Sequence, residues 1–488
     1  MRGPNVNQNL TRLTITSMAA ALLVFGSVGP VAGTTPGEAS LVKDISTSGD
    51  GSGSSFPSAL TDASGTLFFS AKGPGGRELY STDGTEAGTI RLSIRPGAKG
   101  SSPADLTALG ARVFFSAHDG ASGRELWTSD GTPGGTMRVK DIRPGAKGSN
   151  PLGLATMGNK LYFSANNGQF GRELWVSDGT AQGTRMVRDI KQGAKGSDPQ
   201  ELVAVGSKLF FTALGSRALW VSDGSSAGTT AFPNSSGMFD NRQLTRAGNQ
   251  LFFVGTHAPD SHMPMTSLRV IRPGATRSVK LLEVSSENCP NPSYCDERLD
   301  LVPVGSMLFV TGPTRRLWRT DGTSAGTVKL MKLNDCGSKA GRYPECSYAG
   351  AYTDVAGRLF FVLPQYVYSA EHEAYRPDSD QVWTSDGTVA GTRVVKVFDQ
   401  PSTGGWNAPG GAVALDGAYY FTGYDADSGF ELWRSDGTTA GTILACDINL
   451  FGFDNGWALP HHMAAAGSSL YMSADDGVHG FELWRYQP

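Results

Sequence analysis

Short apolar runs broken by turn residues run through the whole chain. Residues 202–205 read as one strand, Gly206-Ser207 as a turn and residues 208–213 as a returning strand. Residues 218–222 form a third segment with Leu219 and Trp220, and Asp223-Gly224 turns again before a fourth segment after Gly228. Apolar segments of this length, punctuated by Gly, Asp and Ser, predict a four-stranded antiparallel meander.

The same text recurs. Its third segment is Glu78-Leu79-Tyr80, Glu125-Leu126-Trp127, Glu173-Leu174-Trp175, Leu219-Trp220, Leu317-Trp318, Val382-Trp383, Glu431-Leu432-Trp433 and Glu482-Leu483-Trp484. An Asp-Gly turn follows in seven of these copies. Asp83, Asp130, Asp178 and Asp223 are 47, 48 and 45 residues apart, and the next step, to Asp321, is 98. That step is two periods, so a degenerate copy is expected over residues 240–285, with its third strand near residues 268–271. Asp386 and Asp436 complete the series.

A period in the forties made of strands is the signature of a propeller, in which each small sheet hides its faces only by stacking on its neighbours. Eight plain copies and one degenerate copy predict an all-β, closed propeller of about nine four-stranded blades; eight blades follow if the degenerate stretch is an insert. The tryptophans Trp127, Trp175, Trp220, Trp318, Trp383, Trp433 and Trp484 are expected to pack between blades. Asp130, Asp178 and their equivalents should cap their own turns, with Gly supplying positive φ.

The last copy stops after its third strand at Trp484-Arg485-Tyr486. Near the other end, Leu41-Val42-Lys43-Asp44-Ile45 matches the fourth-strand text Val139-Lys140-Asp141-Ile142. The N-terminal strand should therefore complete the last blade and remove two sheet edges.

Composition adds limits. The 64 Gly and 26 Pro disfavour long helices, and a formal charge of -3 gives no global attraction to nucleic acid or to an anionic membrane. Arg2 and Arg12 precede an apolar stretch over residues 18–28 and the small residues Val31, Ala32 and Gly33, so residues 1–33 read as an export signal and 34–488 as the propeller. No transmembrane segment is expected in the mature chain, which is read as an exported monomer found outside the cell, at its surface or in the periplasm. In that setting Cys289–Cys295 and Cys336–Cys346 are the expected local disulfides, leaving Cys446 as a buried thiol. Inserted loops are expected at about 286–298, 334–350 and 364–380.

The Glu-Leu-Trp-x-x-Asp-Gly-Thr text resembles the ELWxxDGT repeat family of exported bacterial proteins, over nearly all of the mature chain. That label implies the repeat and little chemistry. The run from Ala117 to Trp127 also looks like the tryptophan-docking motif of quinoprotein dehydrogenase propellers, with similar runs ending at Trp175, Trp433 and Trp484. In that family the motif joins blades, so the resemblance implies fold; the vicinal cysteines and calcium ligands of those enzymes have no counterpart in this text.

On a propeller, the loops between second and third strands and those between blades share a face, and long loops on a rigid frame carry function. Three features fall there. Arg95 with Lys99, Arg143 with Lys147, and Lys195 recur in the inter-blade loops and would form a basic arc that draws an anionic ligand. Trp406 and Trp457, with Phe451 and Phe453, offer faces to sugars or apolar groups, burial between blades being the alternative. His461 is one of seven histidines in or beside these loops, but adjacent His461-His462 lacks zinc-site spacing. No metal site and no cofactor are expected; calcium on the turn aspartates is the alternative.

No nucleophile elbow, paired-His helix or phosphate loop occurs. The reading is therefore a non-catalytic exported recognition or scaffold protein that holds a glycan or an envelope protein, with no nucleic acid partner. The alternatives are a polysaccharide-acting hydrolase or lyase using the same face, which needs two carboxylates roughly 5 to 9 Å apart, and a structural surface or matrix component.

Overall fold

The computed structural model describes residues 37–46, 53–215, 218–233, 238–257, 265–284, 299–312, 316–333, 349–369, 374–399, 411–450 and 458–488. The calls on the export signal (1–33), on Cys289, Cys295, Cys336 and Cys346, and on Trp406 and Trp457 lie outside these residues.

The strands form nine four-stranded antiparallel sheets, and no helix occurs among the described residues. Blades 1 to 8 span residues 58–92, 104–140, 152–188, 200–231, 238–284, 300–332, 350–399 and 412–446. Blade 9 is built from residues 461–487 and from the strand Glu38–Lys43, which pairs antiparallel with Phe481–Gln487. The expected closure is present, with Leu41 opposite Trp484. The innermost strands touch in sequence around the ring, and that of blade 9, His461–Ala466, returns to that of blade 1, Ser58–Ala63. Nine blades, including the degenerate copy whose third strand is Met265–Ile271, settle the count against eight.

One expectation is corrected. Residues 364–380, read as an inserted loop, continue the second and third strands of blade 7: Arg358–Ser369 pairs with Ala374–Ser385 as a hairpin of 12-residue arms. The run Tyr366-Val367-Tyr368, rich in strand-forming residues, pairs in register with Pro377, Arg376 and Tyr375 and was the signal that the loop reading passed over.

The core is shared between blades. Trp175 packs with Phe114 and Leu126 of blade 2 as well as Phe163 of its own sheet. Trp433 lies against Phe360, Val382 and Phe398 of blade 7, and Trp484 against Tyr420 and Leu432 of blade 8. The other four tryptophans sit at the same junctions, half-buried. A sheet covered on both faces in this way withdraws most of its apolar surface from water only once its neighbour is present.

Polar latches repeat beside these contacts. Lys43, Lys140, Arg188 and Lys396 each donate to the carbonyl of the threonine ending the turn of the next blade, Thr89, Thr184, Thr229 and Thr442. Within each turn the aspartate does what the sequence predicted. Asp130 Oδ1 accepts from Thr132 N at 3.0 Å and from Thr132 Oγ1 at 2.8 Å, and Thr132 Oγ1 accepts from Gly135 N. The same set recurs at Asp83, Asp178, Asp223, Asp321, Asp386 and Asp436. A Cβ on Gly135 would sit 1.9 Å from Asp130 Oδ1, which is why the turn closes on glycine.

Candidate recognition face

Five of the inter-blade loops are built around a buried carboxylate. Glu125, fully buried, accepts at Oε2 from Ile142 N and Ser149 Oγ (3.2 and 2.5 Å) and at Oε1 from Arg143 N and Ser149 N (3.1 and 2.8 Å). Glu173 repeats the set with Ile190, Lys191 and Ser197. Glu78 holds Ile94, Arg95 and Ser101, and Glu482 holds Ile45, Ser46 and Ser55 across the ring closure. Glu431 accepts from Ile448 N and Asn449 N, and Ala458 stands where the others have serine.

The serine then reaches the next blade. Ser101 O accepts from His118 N, Ser149 O from Asn166 N and Ser197 O from Leu214 N. Each loop is thereby pinned at both ends. Sequence reasoning treated the glutamate as part of a label; its signal was a serine at a fixed distance of about two dozen residues, 24 for both Glu125–Ser149 and Glu173–Ser197.

Burial shifts the carboxyls of Glu125, Glu173, Glu431 and Glu482. It raises Glu125 and Glu173 against the pull of their donors, and carries Glu482 to about 7. Glu431, without a serine hydroxyl and repelled by Asp447 and Asp425, reaches about 8.

Five clamps occupy consecutive junctions, from blade 8 through blades 9, 1 and 2 to blade 3. Blades 4 to 7 carry Ala218, Ser267, Arg316 and Gln381 before the same apolar residue, and they fold as four-stranded sheets all the same. The clamp is therefore not what makes a blade; it fixes the loop above it.

The predicted basic residues ride on three of these loops. Lys99, Lys147 and Lys195 are exposed at the tips, while Arg95 and Arg143 are half-buried. Arg95 lies over Gly120 of blade 2 and Arg143 over Gly168 of blade 3, where an added Cβ would meet the guanidinium Nε at 3.1 and 3.2 Å. These five make no ion pair among the described residues. The structure thus brings them onto one arc of one face, as repeated positions of successive blades.

Towards the ring centre the loops enter the innermost strands through a repeated bulge. The second residue of the strand is left-handed at Ala59, Asp105, Glu201, Ala351 and His462, and so is Gln243, the sixth residue of the longer strand Met238–Ala247, with φ between 51° and 56°. Gly153 takes the position in blade 3. Bulges in this place re-aim side chains, and non-glycine residues held there are strained.

No family model matches the chain, and no curated protein matches it. Among solved structures it is similar to an oligogalacturonate lyase in complex with manganese, at 13% identity and a TM-score of 0.38, over 79% of this chain and 97% of that one. It is also similar to a puromycin hydrolase, at 11% identity and a TM-score of 0.40, over 88% of this chain and 60% of that one. The Saccharomyces cerevisiae protein Sqt1 aligns at 10% identity and a TM-score of 0.41, over 90% of this chain and 98% of that one. The chain spans about 60% of the length of the hydrolase.

His461 lies at the start of the innermost strand of blade 9, next to the ring closure. Its Nδ1 is 2.9 Å from Leu459 O, and its ring meets His462 and Phe481 at centroid distances of 4.8 and 5.1 Å. Phe481 stacks on Phe56, whose φ of 47° turns it outward so that 48% of it is exposed. In blades 2 to 4 the position of Phe56 is held by Ser102, Asn150 and Asp198, so the aromatic group marks one sector of the ring. Arg77 donates to Phe56 O, Ser58 Oγ and Ser70 O beneath it. Burial, with the neighbouring His461 ring and the Arg77 guanidinium, keeps His462 below the usual imidazole value.

No cluster of three His, Cys, Asp or Glu side chains able to hold a metal occurs among the described residues. The turn aspartates use Oδ1 for their own threonines, and these bonds hold the carboxyls below their ordinary value. Cys446 is half-buried rather than buried, its Sγ 3.7 Å from Asp447 O. Among the described residues, no helix is long and apolar enough to cross a membrane.

Proposed function

We propose that this chain is an exported recognition protein that holds its ligand on the inter-blade loop face, over blades 9 to 4, without catalysing a reaction. One observation carries the reading: the buried glutamate clamps rigidify loops that the fold does not need rigid, since blades 4 to 7 form without them. Rigid loops with exposed, unpaired cations at their tips lower the ordering cost of binding. Sites of this kind suit a ligand gripped at several points, and a glycan or an envelope protein fits the expected export.

The test is binding of the purified mature chain to a glycan array and to immobilised envelope fractions, beside a variant with Lys99, Lys147 and Lys195 changed to Ala. Binding by the parent and its loss in the variant are expected. Turnover of any bound polysaccharide, read as new reducing or unsaturated ends, would refute the non-catalytic reading. Equal binding by both chains would move the site off this face.

A further inference from the structure

Resting on the recognition reading, we infer that the ligand is an acidic polysaccharide, laid along four consecutive inter-blade loops from the aromatic sector at the ring closure to the lysine at the start of blade 4.

The order of the loops carries the inference. The loop entering blade 1 presents Phe56, seated on Phe481 and beside His461 and His462. The loop entering blade 2 presents Lys99, and the loops entering blades 3 and 4 present Lys147 and Lys195. An exposed, braced ring beside a line of cations matches a polymer whose units have both an apolar face and a negative group.

Repetition narrows the class. The three lysines occupy equivalent positions of successive blades, on loops held by the same clamp, so the charges recur at one interval around the ring. A polymer with one anionic group per repeating unit can meet all three; an acidic peptide has no fixed interval to match. Rings that stack also accept nucleobases, but among the described residues this sector offers one exposed phenylalanine, whereas single-stranded nucleic acid is held by a succession of aromatic platforms.

Several of the negative groups near this path are already engaged. Asp119 and Asp141 are both engaged by Arg138, at 3.4 and 3.7 Å, and Asp198 faces Arg172 at 3.8 Å. Asp105 sits by Arg124, whose guanidinium holds Ser102 O and Ser116 O.

The experiment measures binding of the full mature chain to alginate, to carboxyl-reduced alginate and to oligothymidylate, by affinity electrophoresis and titration at low and moderate salt. Alginate should bind, more weakly as salt rises, and the carboxyl-reduced polymer should bind at least about ten-fold more weakly. Changing Lys99, Lys147 and Lys195 to Ala should weaken alginate binding about ten-fold and flatten its salt dependence, since each exposed pair contributes modestly. Phe56→Ala should weaken binding several-fold and leave the salt dependence as it was. Unchanged thermal midpoints show that both variants are folded.

Equal affinity for alginate and its carboxyl-reduced form overturns the acidic class while leaving recognition on this face intact. Equal affinity for oligothymidylate overturns the polysaccharide assignment. Absence of alginate binding overturns the inference, and the recognition reading then stands or falls on the array and the envelope fractions.

Discussion

Replacing Glu125 by Gln tests whether the buried carboxylate or only its shape organises the loop above blade 2. The side chain accepts four hydrogen bonds, two on each oxygen, from Ile142 N, Arg143 N, Ser149 N and Ser149 Oγ. A glutamine keeps one acceptor oxygen; with its NH2 group in place of Oε2 it meets Ile142 N, which is left without an acceptor, and the Ser149 hydroxyl, which can turn to accept. An unmet buried donor costs about 1 to 3 kcal/mol. The hydroxyl bond to a carboxylate is weakened as well, and removing a charge that burial opposes returns part of the loss, so a net loss of about 2 kcal/mol is expected. At Glu431 each oxygen accepts one backbone N–H, and burial, Asp447 and Asp425 all oppose its charge. The same substitution there should cost about 1 kcal/mol or less at pH 8. Urea midpoints of the two variants, compared at pH 8, give the difference. Trypsin cleavage after Lys147 should quicken in Glu125→Gln only. Ser149→Ala should destabilise the parent yet add little to Glu125→Gln, because the two residues share their bonds. Equal midpoint shifts for Glu125→Gln and Glu431→Gln, or additive effects of Glu125→Gln and Ser149→Ala, would refute the reasoning.

Further outcomes are expected. Glu431 and Glu482 take up protons in the fold that they release when unfolded, at about 8 and 7 against 4.5. Their stabilisation is complete below pH 4.5 and lost as pH rises through the folded values, so the thermal midpoint should fall between pH 5 and 8 and Glu431→Gln should flatten that slope; a flat parent profile would contradict it. Gly135→Ala should destabilise blade 2, because its Cβ meets the Asp130 carboxylate, and should be nearly harmless once Asp130 is also Ala; differential scanning calorimetry of the double-mutant cycle decides. Val42→Asp buries a charge at a 2% exposed position of the closing strand and should lower the thermal midpoint by more than Gly135→Ala does, with a larger radius of gyration in X-ray scattering.

Most of the architecture was legible because each blade repeats its own instructions. Trp175, Asp178 and Gly179 mark one blade's third strand and turn, and their copies give the count. The closing strand was legible because Leu41-Val42-Lys43 repeats the fourth-strand text of blades that have one. Blade 7 was misread over 364–380 because its hairpin is longer than its siblings', and length variation looks like a loop when no copy fixes the register. The basic arc was legible as text; the clamp was not, since Glu125 and Ser149 come together only when the fourth strand returns to the face. The bulge at Asp105, Glu201 and His462 was invisible because no residue type is common to it.

The pairing of Glu38–Lys43 with Phe481–Gln487 also sets a timetable. During synthesis the strand that finishes blade 9 is made hundreds of residues before its partner, and its edge has to wait, unpaired, through the making of every other sheet. Each earlier blade can dock on the one before it as it emerges, but the circle gains its last interface in one late step that joins the most distant parts of the chain. A ribosome stalled short of residue 481 would leave an open arc with two sticky rims, a species for quality control to remove, whereas a chain opened elsewhere, between blades 5 and 6 for instance, could move that waiting period to another junction without changing the finished ring.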